Sequence, residues 1–268
     1  MNKTMNYVIA IPSYLRHKEL KDKTLKTLMK HKINPQRIHI FVANNDERVK
    51  YLNYLDSDTF NKIIIGEKGI RNQRIFISKY FDQGQYIVSC DDDIEDFKIL
   101  QISNGRKTLK TIYNIEYEIM RNFTVCQLYQ KYLWGTVAHH NPYWMNENTS
   151  IGLYFCVGVF HGYINRHSDD LYPHELSETK EDYEQCILYS LKDGGVVRRN
   201  DLCFITKYNA DGGLGKDRYD RNKLAQQYLV NKYPNLVSAY ERKTKNSMNG
   251  TPEIKFKFKS KHKINNDV

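Results

Sequence analysis

Three consecutive carboxylates, Asp91 to Asp93, have the residue types and spacing that most directly indicate chemistry. They follow Tyr86–Cys90, a short apolar run that is typical of a buried strand. Because unpaired buried charge is costly, we expect the acids where the strand leaves the core, at its carboxyl end. Ligands of open α/β sheets bind at that end. The acids therefore indicate a hard divalent cation, Mg²⁺ or Mn²⁺, held by one or two carboxylates and by substrate phosphates. A solvated acidic turn is the alternative.

A second acidic pair, Glu181 and Asp182, follows a polar loop at a predicted helix start. Thr179 and Asp182 have the spacing of a capping box, and acids in a first turn oppose the helix dipole favourably. A carboxylate placed there can also act as a general base that removes a proton from an acceptor hydroxyl. Local sequence leaves both interpretations open.

The elements that must position these acids alternate between strand and helix along the first 93 residues. The predicted strands span residues 7–11, 38–42, 63–65 and 86–90, and the predicted helices span residues 18–30, 47–55 and 70–81. This alternation predicts a mostly parallel central sheet flanked by helices, with right-handed crossovers. A dinucleotide-binding fingerprint is excluded, because no Gly-x-Gly-x-x-Gly follows the first strand.

The second half of the chain predicts a mixed arrangement within the same α/β domain. We expect a loop with short extended pieces over 94–110, helices over 113–132, 181–191 and 221–233, and strands over 133–138, 151–164, 195–199 and 202–208, the last two around a turn. Residues 1–241 are interpreted as one domain. Residues 242–268 are interpreted as a basic tail that is flexible or docks late.

Loops at the ends of the first four strands carry groups that suit a nucleoside diphosphate. They hold Pro12, Ser13, Tyr14, Arg16, Asn44, Asp46, Lys68, Arg71, Arg74 and the acids at 91–93. In a parallel sheet these loops lie side by side. Arg16 and either Arg71 or Arg74 could neutralise phosphates, while Asn44 or Asp46 could meet a base or ribose. A solvated helix face is the alternative for Arg71 and Arg74.

A glycine-rich loop, Tyr208–Lys216, precedes the last predicted helix. Glycine permits positive φ and close approach of the backbone to a ligand. Lys216 or Arg218 could then reach a phosphate. A tight surface turn explains the same residues.

The histidines lack the spacing of a zinc site. His161, between Phe160 and Gly162, is the one that we single out. We assign acceptor contacts to His161, Gly162 and Tyr163 as a hypothesis.

Composition indicates the kind of partner. The chain has 268 residues with 41 basic and 31 acidic side chains, a formal charge of +10 that favours a polyanionic partner such as nucleic acid or an anionic membrane surface. Solubility alone also explains the charge. The five cysteines are odd in number and lack a Cys-x-x-Cys pair, which fits reduced thiols in the cytoplasm. No signal peptide or apolar run of membrane-spanning length is predicted, so we expect no membrane partner.

The ordered set of motifs resembles the GT-A fold glycosyltransferases, which have a strand-end Asp-x-Asp and a later x-Glu-Asp motif. Asp91–Asp93 and Lys180–Asp182 match these two motifs in the expected order. Gly69–Arg74 looks like the glycine-then-Arg-Asn segment that precedes the metal motif in that superfamily. The resemblance implies a nucleotide-sugar donor, with a UDP-sugar preferred, and Mn²⁺ or Mg²⁺ as cofactor. It also implies roles for the acids of the site. Asp93, or alternatively Asp91, would bind the metal ion, and Asp92 or Asp91 would contact the ribose or the metal shell. Glu181 or Asp182 would be the base of an inverting displacement. Many relatives add a histidine ligand after that helix, whereas the histidine after Asp182 here is His262 in the tail.

Within that superfamily the chain looks most like the phage TET-associated glycosyltransferases, which attach sugars to 5-hydroxymethylcytosine in DNA. Ala10–Tyr14 and Asp91–Phe97 carry this likeness. It implies a double-stranded DNA acceptor, with phosphate contacts and a flipped base, and a host-cytoplasmic location. The alternatives are the same chemistry on a cell-surface glycan, a nucleotidyltransferase that uses the same acids, and a non-catalytic DNA-binding module.

Overall fold

A nine-stranded sheet crosses the centre of the protein, of which a computed structural model describes residues 5–206, 218–242, 250–257 and 262–265. The strands are β1 (Tyr7–Pro12), β2 (Ile38–Val42), β3 (Lys62–Ile65), β4 (Tyr86–Cys90), β5 (Asp96–Ser103), β6 (Arg106–Thr111), β7 (Leu133–Thr136), β8 (Asn148–Gly152), β9 (Phe160–Ile164), β10 (Val196–Arg199), β11 (Leu202–Ile205), β12 (Val237–Arg242), β13 (Thr251–Phe256) and β14 (His262–Asn265). The large sheet has the order β14-β8-β10-β7-β9-β4-β1-β2-β3. The small sheets are β11-β5-β6 and β12-β13.

The first half of the large sheet is parallel, as predicted. β1 lies between β2 and β4 and runs parallel to both, and β3 extends the sheet beside β2. All five residues of β2 are buried, which is typical of a parallel strand covered on both faces. Apolar β-branched side chains in β1, β2 and β4 fill the main core.

Helices cover the sheet. They are α1 (His17–Glu19) and α2 (Lys26–Lys30), joined by the π-helical segment Leu20–Leu25, then α3 (Asn45–Tyr54), α4 (Ile70–Tyr80), α5 (Ile115–Leu128), α6 (Glu181–Asp193) and α7 (Arg218–Lys232). Gly69 precedes α4 with φ +91°, a left-handed value that favours glycine. In the described ranges no helix is long and apolar enough to cross a membrane.

The stretch 94–110 differs from its prediction, because β5 and β6 form a continuous antiparallel hairpin there. Asn104 and Gly105 have φ of 50° and 75° at its turn. Positive φ at both central residues matches the twist of the flanking strands, which is why Asn-Gly is a strong hairpin signal. The sequence carried that signal, and the prediction of a loop was wrong.

Two further strand predictions need correction. The stretch 151–164 contains two strands, β8 and β9, separated by a loop at residues 153–159 that reaches the acidic turn. β10 and β11 are not partners around a turn: β10 lies between β7 and β8, whereas β11 pairs with β5 in a different sheet. Arg199 is ion-paired to Asp201 in this connection and to Glu118 of α5.

Strand direction decides which loops share an edge. β9 runs antiparallel to β4 and β7, so β7 has the same direction as β4, and β10 is parallel to β7. The carboxyl ends of β1, β2, β3, β4, β7 and β10 therefore lie along one edge of the sheet, which we call the carboxyl edge.

The last described segments are paired strands. β12, which spans the predicted domain boundary at residue 241, pairs with β13, and β14 adds to β8 at the border of the large sheet.

Candidate functional site

The turn after β1 binds two of the acids. Arg16 forms ion pairs from Nη1 to Asp92 Oδ1 at 3.0 Å and from Nη2 to Asp93 Oδ2 at 2.9 Å. Ser13 Oγ donates to Asp92 Oδ2 at 2.6 Å. Asp92 is 5% exposed and its charge is met inside the protein. The proximity expected of Ser13, Arg16 and the acids is thus present in the structure.

Two residues of α3 hold this turn in shape. Tyr51 Oη lies 2.7 Å from Ser13 Oγ and accepts from the Arg16 backbone N–H at 3.1 Å. Glu47 Oε2 accepts from the Leu15 backbone N–H at 2.8 Å, and Leu15 has φ 58°, which is uncommon for a non-glycine residue. Sequence reasoning missed Tyr51 and Glu47, because a Tyr and a Glu one turn apart on a polar helix carry no local signal.

The π-helical segment and α2 support the acidic turn from behind. Thr24 Oγ1 donates to the Asp91 carbonyl oxygen at 2.7 Å and accepts from the Ile94 backbone N–H at 2.9 Å. Thr27 Oγ1 donates to the Ile94 and Glu95 carbonyl oxygens. These bonds satisfy the backbone on both sides of the three acids and fix the direction of their side chains.

Arg74 joins the two acidic motifs. Its Nη2 lies 3.2 Å from Asp91 Oδ1, and its Nη1 is ion-paired to Glu181 Oε1. Burial opposes the charge of the guanidinium, but Glu181 and Asp91 raise its pKa above the ordinary value. Acids separated by 90 residues in the sequence therefore lie on either side of one cation.

Gly158, in the loop before β9, connects Arg74 to Asp182. Its carbonyl oxygen accepts from Arg74 Nη2 at 2.8 Å, and its backbone N–H donates to Asp182 Oδ2 at 3.0 Å. A Cβ at this position would lie 2.5 Å from Arg74 Nη1, so the close approach requires glycine. Asp182 Oδ1 accepts from the Tyr183 backbone N–H at 2.9 Å, which occupies both carboxylate oxygens. Sequence reasoning placed Gly158 inside a strand and missed its role.

Burial raises the carboxyl pKa values of this cluster. Burial raises the pKa of Asp91 to about 6 against the opposing effect of Arg74, and that of Asp92 to about 7 against Arg16. Burial likewise raises the pKa of Glu181 to about 7, again opposed by Arg74. A carboxyl that titrates near pH 7 is matched to proton transfer at that pH.

The other predicted donor-binding residues are spread along the same edge. Pro12 is the last residue of β1, Asn44 caps α3 by accepting from the Glu47 backbone N–H at 2.9 Å, and Lys68 Nζ lies 5.6 Å from the centre of the exposed Tyr14 ring. Arg71 Nε donates to the Pro173 carbonyl oxygen at 2.6 Å. Lys216 and the rest of the loop 208–216 lie outside the described residues.

The three residues assigned to the acceptor face two sides of the sheet. Gly162 packs closely against the buried Trp134, and a Cβ at this position would lie only 2.4 Å from the indole Nε1. His161 and Tyr163 point to the other side and line a pocket with Arg74 and Glu181. His161 Nδ1 lies 3.0 Å from the Gly158 carbonyl oxygen.

The acids fit a hard divalent cation by their chemistry. The ion pairs engage Oδ1 of Asp91 and Oδ2 of Asp93, and the second oxygen of each carboxylate remains for a cation. Two carboxylates with substrate phosphates are a common Mg²⁺ set. Within the described ranges no group of three or more acids, histidines or cysteines is arranged to hold a metal by itself.

Solved structures with a similar fold were found. The chain resembles S. aureus TarS with TM-score 0.50 and 13% identity, covering 85% of this chain and 40% of that chain. A structure of TarS 1-349 in complex with UDP gives the same TM-score and identity, with coverages of 85% and 66%. A weaker likeness, at TM-score 0.38 and 14% identity, is to the galactosyltransferase LgtC in complex with donor and acceptor sugar analogs, covering 71% of this chain and 72% of that one.

This chain spans about two fifths of the longer TarS structure. No protein-family model matches the chain, and no curated protein does either. The architecture is therefore established at the level of fold: a GT-A-like α/β domain with a parallel half, a mixed half and flanking helices.

Proposed function

We propose that the protein is a metal-dependent glycosyltransferase that moves a sugar from a nucleotide-sugar donor, preferably a UDP-sugar, to an acceptor hydroxyl. The observation that carries the proposal is the position of Arg74, which contacts both Asp91 and Glu181. The guanidinium of Arg74 brings the strand-end acids and the helix-start acids to one point on the carboxyl edge, where an α/β sheet binds ligands. The UDP bound to TarS, a protein of similar fold, supports the choice of donor.

The donor would lie across the ends of β1 to β4. Asp91 and Asp93 would hold Mg²⁺ or Mn²⁺, which when bound supplies positive charge against the leaving diphosphate. Lys68, in the loop between β3 and α4, and Arg71, in the first turn of α4, would meet phosphate oxygens. Tyr14 offers an exposed ring to the base of the nucleotide. Asp92 is already bound by Arg16 and Ser13, so its part is to shape the turn.

The reaction needs one base. The acceptor oxygen attacks the anomeric carbon, the bond from that carbon to the diphosphate breaks, and the hydroxyl proton passes to a carboxylate. Glu181 suits this role, because its Oε2 is not engaged by Arg74 and its pKa is about 7. Asp182, with both oxygens on backbone N–H groups, is placed to hold the loop at Gly158.

For the acceptor we propose the hydroxymethyl group of 5-hydroxymethylcytosine, or a related modified pyrimidine, in double-stranded DNA. The support is the likeness of Ala10–Tyr14 and Asp91–Phe97 to the phage enzymes, together with the +10 charge of the chain. Sugar transfer to a cell-surface glycan and transfer of a nucleotidyl group in place of a sugar are the competing outcomes of the test.

The test is mass spectrometry of 5-hydroxymethylcytosine DNA after incubation with the protein, Mn²⁺ and a panel of nucleotide sugars, with unmodified DNA and Asp93→Ala as controls. A hexose or pentose mass gain on modified DNA alone, with release of nucleoside diphosphate, is the expected result. Pyrophosphate release would identify a nucleotidyltransferase. Donor hydrolysis without any change in the DNA would keep the transferase and reject the acceptor.

A further inference from the structure

A pocket lies behind the acidic cluster, between the sheet and helices α4 and α6. Arg74 and Glu181 form its end at the site, and it runs along the sheet face past Tyr163 towards Arg166. The volume of the pocket that the centre of a water molecule can occupy is about 30 Å³. This is room for about two waters or a small hydroxyl-bearing group. Glu181, the proposed base, borders this space, whereas Asp91 and Asp93 of the proposed metal site do not line it.

Four buried polar atoms of the pocket lining have no hydrogen-bond partner in the described protein. They are Arg74 Nε, Ser89 Oγ, His161 Nε2 and Arg166 Nε. Buried polar groups are almost always paired, so several unpaired atoms around one pocket indicate a ligand or ordered water. Ser89 and His161 are 2% and 1% exposed, so bulk solvent does not satisfy them.

Ser89 and His161 are close enough to share one ligand atom. They are direct partners across the antiparallel strands β4 and β9. Such partners have Cβ atoms about 4.5–5.5 Å apart and point to the same face of the sheet. A single oxygen atom between the two side chains can therefore hydrogen-bond to both.

The chemistry of the ligand follows from the tautomer of His161. The Gly158 carbonyl oxygen can only accept, so the proton of the ring is on Nδ1, which donates to it at 3.0 Å. Burial and the charge of Arg74 lower the pKa of His161 to about 3, so the ring is neutral. His161 Nε2 is consequently an acceptor that needs a donor, whereas Arg74 Nε–H is a donor that needs an acceptor. A carboxylate or a fully ionised phosphate has no proton for His161, and an ammonium has no lone pair for Arg74. A hydroxyl group or water has both.

We propose that this pocket binds a hydroxyl group through His161 Nε2, Ser89 Oγ and Arg74 Nε, and that the hydroxyl belongs to the sugar being transferred. The choice of sugar rests on the proposed function, because Arg74 and Glu181 border both the pocket and the site of transfer. His161 and Ser89 are then specificity-determining residues for the donor, and this assignment replaces the hypothesis that His161 contacts the acceptor. Ordered water is the other source of the same chemistry.

The first measurement does not depend on activity. Ser89→Ala, His161→Phe and the double variant are compared by thermal unfolding with the wild type, with His39→Phe as a control for loss of a buried histidine outside the pocket. If one bound group bridges the two side chains, each single change lowers Tm by about 2–4 °C, and the double change costs less than the sum. Tm values that are unchanged or raised, with additive effects, would show a dry pocket and overturn the proposal.

The second measurement assigns the source of the hydroxyl. Transfer or hydrolysis of the donor is measured with a nucleotide sugar and with its deoxy analogues, one hydroxyl removed at a time. For one analogue we expect kcat/KM with the wild type to fall at least about tenfold. Ser89→Ala and His161→Phe should lower kcat/KM for the intact donor and cost nothing further with that analogue, while His39→Phe shows no such dependence.

The two measurements separate the possible failures. Coupled Tm values without any dependence on donor hydroxyls would assign the site to water and reject the sugar. Absence of any transferase or hydrolase activity would reject the proposed function, while the coupling in Tm would still test the pocket.

Discussion

Individual carboxyls at the site differ in how the protein engages them, although all are close to cations. Asp92 accepts from Ser13 and Arg16, Asp182 accepts from two backbone N–H groups, and Glu181 keeps one oxygen outside its ion pair with Arg74. A carboxylate whose oxygens are all engaged is a poor proton acceptor, whereas one with an open oxygen can meet a substrate. This difference assigns separate roles to neighbouring residues 181 and 182.

Glu181→Gln should lower kcat by about 10²–10⁴-fold, because the amide has no lone pair basic enough to take the acceptor proton. For the wild type, kcat/KM should fall about tenfold per pH unit below pH 7, since the base is protonated below its pKa of about 7. Steady-state rates from pH 5 to 9 measure both. Asp182→Asn is the matched control, and a larger loss of kcat in that variant would move the role of base to Asp182.

Asp92→Asn tests the electrostatics of the turn. Burial raises the folded-state pKa of Asp92 from 3.8 to about 7, so its contribution to stability is fully present below pH 3.8 and is lost as the pH rises to about 7. The neutral amide cannot titrate. Without added metal, the free energy of unfolding of the variant relative to the wild type should increase from pH 4 to 7, as measured by urea denaturation. A constant difference across that range would contradict the raised pKa.

At the scale of elements, the site depends on the loop before β9 fitting under α4. This loop brings Gly158 against Arg74 and holds α6 through Asp182. The N-terminus of α6 also places Glu181 within reach of Arg74. Three elements from distant parts of the chain thus meet at one residue, Gly158.

Gly158→Ala should reduce kcat/KM by at least about tenfold, because its Cβ would lie 2.5 Å from Arg74 Nη1 and would displace the guanidinium from Glu181. The control is the same change in an Arg74→Ala background, where the steric conflict is gone. We expect the two changes to be non-additive there, with little further loss. Additive losses would show that Gly158 acts independently of Arg74.

At the scale of the whole molecule, the last described strand completes the border of the large sheet. β14 pairs antiparallel with β8, which would otherwise present an open row of backbone N–H and C=O groups. The segment therefore contributes to the same sheet that carries the site, although it is distant from the acids in the strand order.

A variant that ends at Lys257 should have a lower Tm than the full chain and should associate at high concentration, because β8 becomes an unprotected edge. A variant that ends at Asn265 retains β14 and should behave like the full chain. Thermal unfolding and light scattering compare the three proteins. Equal Tm and scattering for the variant that ends at Lys257 would contradict a structural role for β14.

The sequence by itself determined the parallel half of the fold and the presence of two acidic motifs. Strands β1 to β4 and their helices were predictable because hydrophobic periodicity and turn residues are local properties of the chain. The position of Asp91–Asp93 at a strand end followed from the cost of burying charge. The hairpin at Asn104 and Gly105 was also encoded locally, although the prediction overlooked it.

Only the tertiary structure decided which residues meet. The ion pairs of Arg74 with Asp91 and Glu181 depend on the sheet order, which places β9 and its loop beside β4. The roles of Tyr51 and Gly158 and the unpaired Nε2 of His161 arise in the same way. No local pattern encodes these contacts, because they join residues 17 to 107 positions apart whose proximity is a property of the packed whole.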